Sequence, residues 1–350
     1  MTDEVRRYAS SFDHLRDLLE KVRLLLLWRM RAQLLIESQS DEGGHRVAQF
    51  LLENAEPHRM PRDEELDSLL DAVDATVQSR CEVSDPSVLC WDRVTRGFGL
   101  SRLDQLILLA CLAPSFSTGF EQAFRGTGAE FVGGRVPLTF VADLLARGDE
   151  ERWELLRALH PSSRLVRSGL VTLSDNDSGS PLVAARVAPS PILFDYLLEM
   201  PLRPGRPALL GSVCEVVPPR REPGEQEEAL VQEFGERVRA HEAFVARGGT
   251  DSVEDLASGH GFGLVRIDWI PEDRTPWNHE IYRQVAVLAR LHGLVPVLDL
   301  RGTREAPAQE RLLLFLEAMT ELGCVIATPS SNWKGAQLWS LKLPVLGKAD

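Results

Sequence analysis

Lysine is nearly missing from this chain. Of its 39 basic residues, only Lys21, Lys334, Lys342 and Lys348 are lysines, and the rest are arginines. A GC-rich coding bias explains the imbalance, yet it has a chemical consequence. Between Lys21 and Lys334 there is no ammonium group, so neither a Schiff-base lysine nor a phosphate-clamping lysine lies in that span. Cysteine is sparse as well. Cys81, Cys90, Cys111, Cys214 and Cys324 are scattered, with no C-x-x-C pair and no Cys/His spacing of a zinc module. Cys111, Cys214 and Cys324 sit in apolar runs, where buried thiols are common. The odd, dispersed set fits a reducing compartment and a cytoplasmic location. Positive charge is in deficit, with a formal net charge of −13, so neutralising phosphates gains little and nucleic acid is disfavoured as a partner. Long apolar runs are lacking too. Leu24–Leu27 lies between Arg23 and Arg29 and is far too short to span a bilayer. The charged start MTDEVRRYASSFDH is no secretory signal.

What is present is an ordinary globular composition, 44% apolar and 26% charged, in a chain long enough for two or three compact units. Residues 11–38 carry apolar residues at helical spacing (Phe12, Leu15, Leu18, Leu19, Leu26, Leu34), with Ser11 as a candidate N-cap. Further helices are expected over 45–53 and 63–78. SDPSVLCWDRVTRGFG, 84–99, breaks the pattern. Beyond it, helices are expected over 101–113 (capped by Ser101), 137–146 (Pro137 at its first position) and 149–160. Strands follow at 164–175 and 182–189, joined by the turn 174–181, and a helix covers 190–199. Three helices followed by a hairpin is the order of a winged helix. Within the third, Trp153, Leu156 and Leu159 read as core.

The segment 203–224 is rich in Pro, Gly and charge and reads as a linker, with one short strand inside 209–217. From 225 onward, helices alternate with the strands HEAFVARG, GLVRIDW, VPVLDL, CVIATPS and LWSLKLPVL, the pattern of a parallel sheet. The expected fold is a multidomain α/β chain. It has a helical unit (1–88), a winged helix (89–202), the linker (203–224) and a P-loop-like αβα domain (225–350).

FVARGGTDSVEDLA outlines a phosphate-binding loop between strand and helix, but its lysine is missing. Gly248 and Gly249 supply the turn, and Thr250 and Ser252 supply hydroxyls. Asp251 places a negative charge where the lysine belongs, repelling a polyphosphate by roughly a few kcal/mol in a partly buried site. Asp299 ends VPVLDL where a magnesium-binding aspartate belongs, but Leu300 and Arg301 follow it, so no glutamate can activate water. Thr328 ends the next strand at the place of a γ-phosphate sensor. GHGFG precedes a strand instead of following one, so it is not a dinucleotide fingerprint. His279-Glu280 lacks the second histidine of a metalloprotease. No metal site and no catalytic residue is indicated, and residual binding of ATP or magnesium is not expected.

The chain resembles the N-terminal part of bacterial AAA+ ATPases that carry a winged helix, the type encoded with extracellular contractile injection systems. The residues that carry the resemblance are the leucine- and arginine-rich first helix, FGLSRLDQLILLACLA at 98–113, SRLVRSGLVTL and SPILFDYLLE. It covers most of the chain, on packing patterns rather than catalytic signatures. It implies a degenerate, non-hydrolysing P-loop domain at 225–350. In that family an intact ATPase domain comes next, whereas this sequence ends at LKLPVLGKAD with neither that domain nor a helical lid. Two expectations follow: a fragment of a longer ATPase, or a short paralogue without the motor. Either way the expected role is a non-hydrolysing scaffold or regulator that assembles with itself or with an intact AAA+ partner. One rival is a DNA-binding regulator, for which Arg164 and Arg167 are the nucleic-acid contacts. The other is a nucleotide-dependent ATPase. Trp333 and Trp339, in the terminal segment 331–346, are the candidate interface residues.

Overall fold

The structure, a computed structural model, describes residues 6–36, 63–127, 134–174, 184–207, 210, 214–220, 228–247, 250–268, 279–300, 309–328 and 343–346. The helix expected over 45–53, most of the turn 174–181, Gly248, Gly249, Trp333 and Trp339 lie outside them. The chain divides into two compact units, Met1–Ser190 with Phe194–Met200, and Pro191–Leu193 with Pro201–Asp350.

In the first unit, helix α1 (Ser11–Ile36) begins one residue away from the expected cap. The Ser10 hydroxyl, not that of Ser11, accepts from the Asp13 amide at 3.2 Å, the reach an N-cap side chain needs. Ser11 is already helical, and its amide donates to Glu199 Oε1 at 2.9 Å. Leu15, Leu18, Leu19, Val22 and the whole run Leu24–Leu27 are buried. A helix with so wide an apolar face belongs against a core. Accordingly α1 is surrounded by α2 (Asp63–Val83), α3 (Cys90–Gly97), α4 (Arg102–Phe116), α5 (Thr118–Gly126) and α6 (Leu138–Leu145). Phe12 is the exception to the expected apolar face. It is 48% exposed and rests in the first turn against the Phe116 ring, centroids 6.1 Å apart.

Segment 84–99 is not the break that its Pro and Gly suggest. Asp85 caps a 3-10 turn (Pro86–Val88), accepting from the Ser87 amide at 2.7 Å. α3 then buries Cys90, Trp91 and Val94. Helix α4 starts as expected, with a full capping box between Ser101 and Asp104. Its successor α5 has no counterpart in the sequence reading. Ser117 caps it by accepting from the Gly119 amide at 3.1 Å.

The winged-helix elements follow as β1 (Val136–Pro137), α6, α7 (Asp149–Ala158), α8 (Arg164–Arg167), β2 (Val171–Ser174), β3 (Arg186–Pro189) and α9 (Pro191–Leu197). The three strands form an antiparallel sheet in the order β1-β3-β2. Pro137 closes β1 and caps α6 instead of opening the helix. It sits on an edge strand, where its missing N–H breaks no ladder. The strand expected over 164–175 opens as a helical turn, because Ser163 accepts from the Val166 amide at 3.4 Å. Only Val171–Ser174 remains extended.

The second unit is a six-stranded mixed sheet in the order β4-β6-β7-β8-β5-β9. Its strands are β4 (Cys214–Val217), β5 (Ala243–Arg247), β6 (Leu264–Asp268), β7 (Val295–Asp299), β8 (Cys324–Thr328) and β9 (Val345–Leu346). All pair in parallel except β4, which runs antiparallel to β6. Interleaved are α10 (Glu228–Arg239), α11 (Thr250–Gly259), α12 (His279–His292) and α13 (Gln309–Ala318). β7 and β8 are buried almost throughout, as expected of strands covered on both faces. The strand foreseen inside 209–217 joins this sheet, and Gly205 bridges to Val216.

Candidate functional site

Two places in the fold hold the chemistry-bearing residues that the sequence singles out. The first is the carboxyl edge of the parallel sheet, where open α/β sheets bind ligands. Register fixes its layout. Arg247, the last residue of β5, lies opposite Thr328, and Asp299 lies opposite Ala327 on one side and Asp268 on the other. Thr250 opens α11 just beyond β5. The structure therefore brings Thr250, Thr328 and Asp299 to one edge, with Ser252 half-buried in the first turn of α11.

Thr328 is buried, and its hydroxyl donates to the Ala246 carbonyl at 3.5 Å. It is turned toward β5 and away from any ligand beyond the strand end. Leu300, at the place of a water-activating glutamate, is fully buried, and its amide donates to Ala327 O at 3.0 Å. Helix α11 is held by a charge network. Glu254, 8% exposed, accepts from Arg220 at 2.6 Å and from Arg266 at 3.3 Å. Arg266 also pairs with Glu215 of β4. A buried carboxylate survives only with such partners. Both guanidiniums are committed to carboxylates on α11 and β4, so they cannot replace the missing lysine.

Phosphoryl transfer relies on positioning and on neutralising charge. With Asp251 in place of the clamp and Leu300 in place of the base, the purified chain is expected to release no phosphate from ATP above a heat-killed control. Release that disappears in Asp299→Ala would show the edge to be a working ATPase site.

The second place is α7, read from the sequence as the third helix of the winged helix, the position that enters the major groove in DNA-binding members of this architecture. Leu155 and Leu156 turn inward, as does Leu159 just beyond the helix. Trp153 does not: it is 67% exposed, which corrects its placement in the core. The inward stripe runs through 155, 156 and 159, and residue 153 falls outside it. Around Trp153, α7 carries Asp149, Glu150, Glu151 and Glu154. Of its two arginines, Arg152 pairs with Asp143 at 2.6 Å, and Arg157 stands in the last turn. Arg164 donates to the Gly99 carbonyl at 2.7 Å, which fixes its guanidinium to the backbone of this unit. Arg167 is exposed.

Among the described residues no single helix is long and apolar enough to cross a membrane. The family described as winged helix domain, variant, matches residues 1–204, a span that takes in α1 and α2 as well as the three-stranded sheet. No curated protein and no solved structure matches the chain.

Proposed function

From a chain that belongs, over residues 1–204, to the winged helix domain, variant, family, we infer a non-hydrolysing assembly module whose winged helix contacts protein. The observation that carries this reading is the surface of α7. Its most exposed large side chain is Trp153, with Asp149 and Glu150 one turn before it on the same helix face and Arg157 one turn after. Duplex phosphates are repelled by such a face. A protein surface rich in arginine suits it twice over, because guanidinium pairs with carboxylates and stacks on indole. This chain carries nearly all its positive charge as arginine, so a second copy is a complementary partner.

The sheet unit supports the AAA+-related part of the reading. The strand that leads into the glycine turn (β5) neighbours the strand ending in Thr328, which neighbours the strand ending in Asp299. A nucleotide site needs that convergence, and here it lacks the groups that perform hydrolysis. An intact AAA+ ATPase of the type encoded with contractile injection systems is the partner that would supply the motor.

The test is light scattering of the full chain from about 1 to 100 μM, a range spanning ordinary micromolar affinities, beside a mobility shift on random duplex DNA at physiological salt. The expected result is concentration-dependent association, weakened at least severalfold in Trp153→Ala, with no DNA shift at submicromolar protein. A strictly monomeric parent would remove self-assembly through α7. A DNA shift lost on replacing Arg164 and Arg167 by alanine would favour the regulator reading.

A further inference from the structure

Three helices of the first unit converge on one buried imidazole. His14 of α1 is 0% exposed. Its Nε2 lies 3.5 Å from Cys81 Sγ of α2 and 3.8 Å from Asp92 Oδ1 of α3. One ligand atom from each of the three residues falls within 4.8 Å of the other two. Cys81 and Asp92 also line a pocket of about 420 Å³ whose walls include Asp74, Gln78, Thr95 and Gln105. Two of the three ligand residues are thus reached from this pocket, whose walls also carry Leu18, Val77, Trp91 and Lys21.

Covalent catalysis does not fit this geometry. In a thiol–imidazole–carboxylate relay, the carboxylate and the thiol take opposite ring nitrogens, whereas here both face Nε2. Nδ1 is buried with no hydrogen-bond partner. Burial pushes the Cys81 thiol up to about 11, so it is protonated at neutral pH and no ready nucleophile.

We propose that His14, Cys81 and Asp92 form a three-ligand site for a borderline-soft divalent cation, zinc in the first instance, with the fourth position open to the pocket. The donor set is the mixture of nitrogen, sulfur and oxygen that tetrahedral zinc accepts. Zinc–sulfur and zinc–nitrogen bonds of about 2.3 and 2.0–2.1 Å, set at the tetrahedral angle, place N and S about 3.5 Å apart, the separation already present. The Asp92 side chain is 30% exposed, so it has room to move the roughly half ångström toward Nε2, and up to about 1 Å toward Sγ, that a zinc–oxygen bond of about 2.0–2.2 Å requires. Of the neighbouring cations, Arg80 is paired with Asp17, which reduces its repulsion of a bound ion. Nδ1 lacks the outer acceptor that strengthens most zinc histidines, an omission worth about 10–100-fold in affinity, so micromolar binding is expected. A metal here would pin α1, α2 and α3 together.

The experiment uses the full chain, stripped with a chelator and titrated with Zn²⁺ against a competing chromophoric chelator, and separately with Co²⁺. The expected result is one equivalent of zinc, a thiolate-to-cobalt charge-transfer band and a raised melting temperature for the first unit. Cys81→Ser should abolish the band and weaken zinc at least tenfold. Asp92→Asn, at a partly exposed position, should weaken zinc while leaving the fold intact by circular dichroism, and it decides the matter if Cys81→Ser fails to fold. No stoichiometric binding, or affinity unchanged in Asp92→Asn and Cys81→Ser, overturns the site and leaves a thiol–imidazole hydrogen bond in its place.

Discussion

Trp91→Ala is expected to destabilise the winged-helix unit by about 3–5 kcal/mol, the usual loss for removing a buried large aromatic. Trp91 is 2% exposed and is the largest of the fully buried side chains among the described residues. It sits in α3, with Cys90 and Val94 buried beside it, and α3 packs on α1. Deleting the indole leaves a cavity that the neighbouring helices can only partly fill. Because the chain holds two compact units, a single unfolding curve is the wrong measurement. Hydrogen exchange read by mass spectrometry localises the effect. Amides of α1 and α4 should lose protection by two to three orders of magnitude (roughly 1.4 kcal/mol per tenfold), while β7 and β8 keep theirs. Unchanged protection in α1 would mean that α3 is not part of this core.

The second large effect is expected at Gly323, in the turn between α13 and β8. Its φ is +70°, and a Cβ added there would lie 2.7 Å from the Glu242 carbonyl oxygen and 2.7 Å from the His241 carbonyl carbon. These atoms are backbone at the start of β5, where Ala243 pairs with Cys324, so they cannot swing aside as a side chain would. Gly323→Ala should cost about 3 kcal/mol, part from the left-handed conformation and part from displaced backbone. Gly293→Ala is the control. Its φ of +63° imposes a similar conformational cost, but nothing lies within 4 Å of the added carbon, so only about 1–2 kcal/mol is expected. Exchange protection of β5 and β8 measures both. Equal losses in the two variants would show that the close approach at Gly323 contributes nothing.

The sequence by itself determined the two kinds of architecture. Alternating buried strands and helices beyond residue 225 leave little choice but a parallel sheet, because a strand buried on both faces reads as a continuous apolar run, as VPVLD and CVIAT do. The leucines of α1 specified a core helix, and Ser101 with Asp104 specified where α4 begins. The sequence also excluded a phosphate-clamping lysine from nearly the whole chain.

Tertiary structure decided what local signals leave open. Segment 84–99 carries turn residues, yet the burial of Trp91 and Phe98 outweighs them and makes α3 a helix in the core. Arg164 to Arg167 reads as strand by its apolar pair, yet the cap from Ser163 turns it into helix. Trp153 is apolar in a helix and reads as core, yet the packed stripe runs through Leu155, Leu156 and Leu159 and leaves it outside. The cluster of His14, Cys81 and Asp92 has no sequence signal at all. Its members are spread over three helices, and the contact between His14 and Cys81 spans 67 positions. Spacing rules detect ligands held by one turn or one hairpin. A site made where helices cross exists only once they are packed.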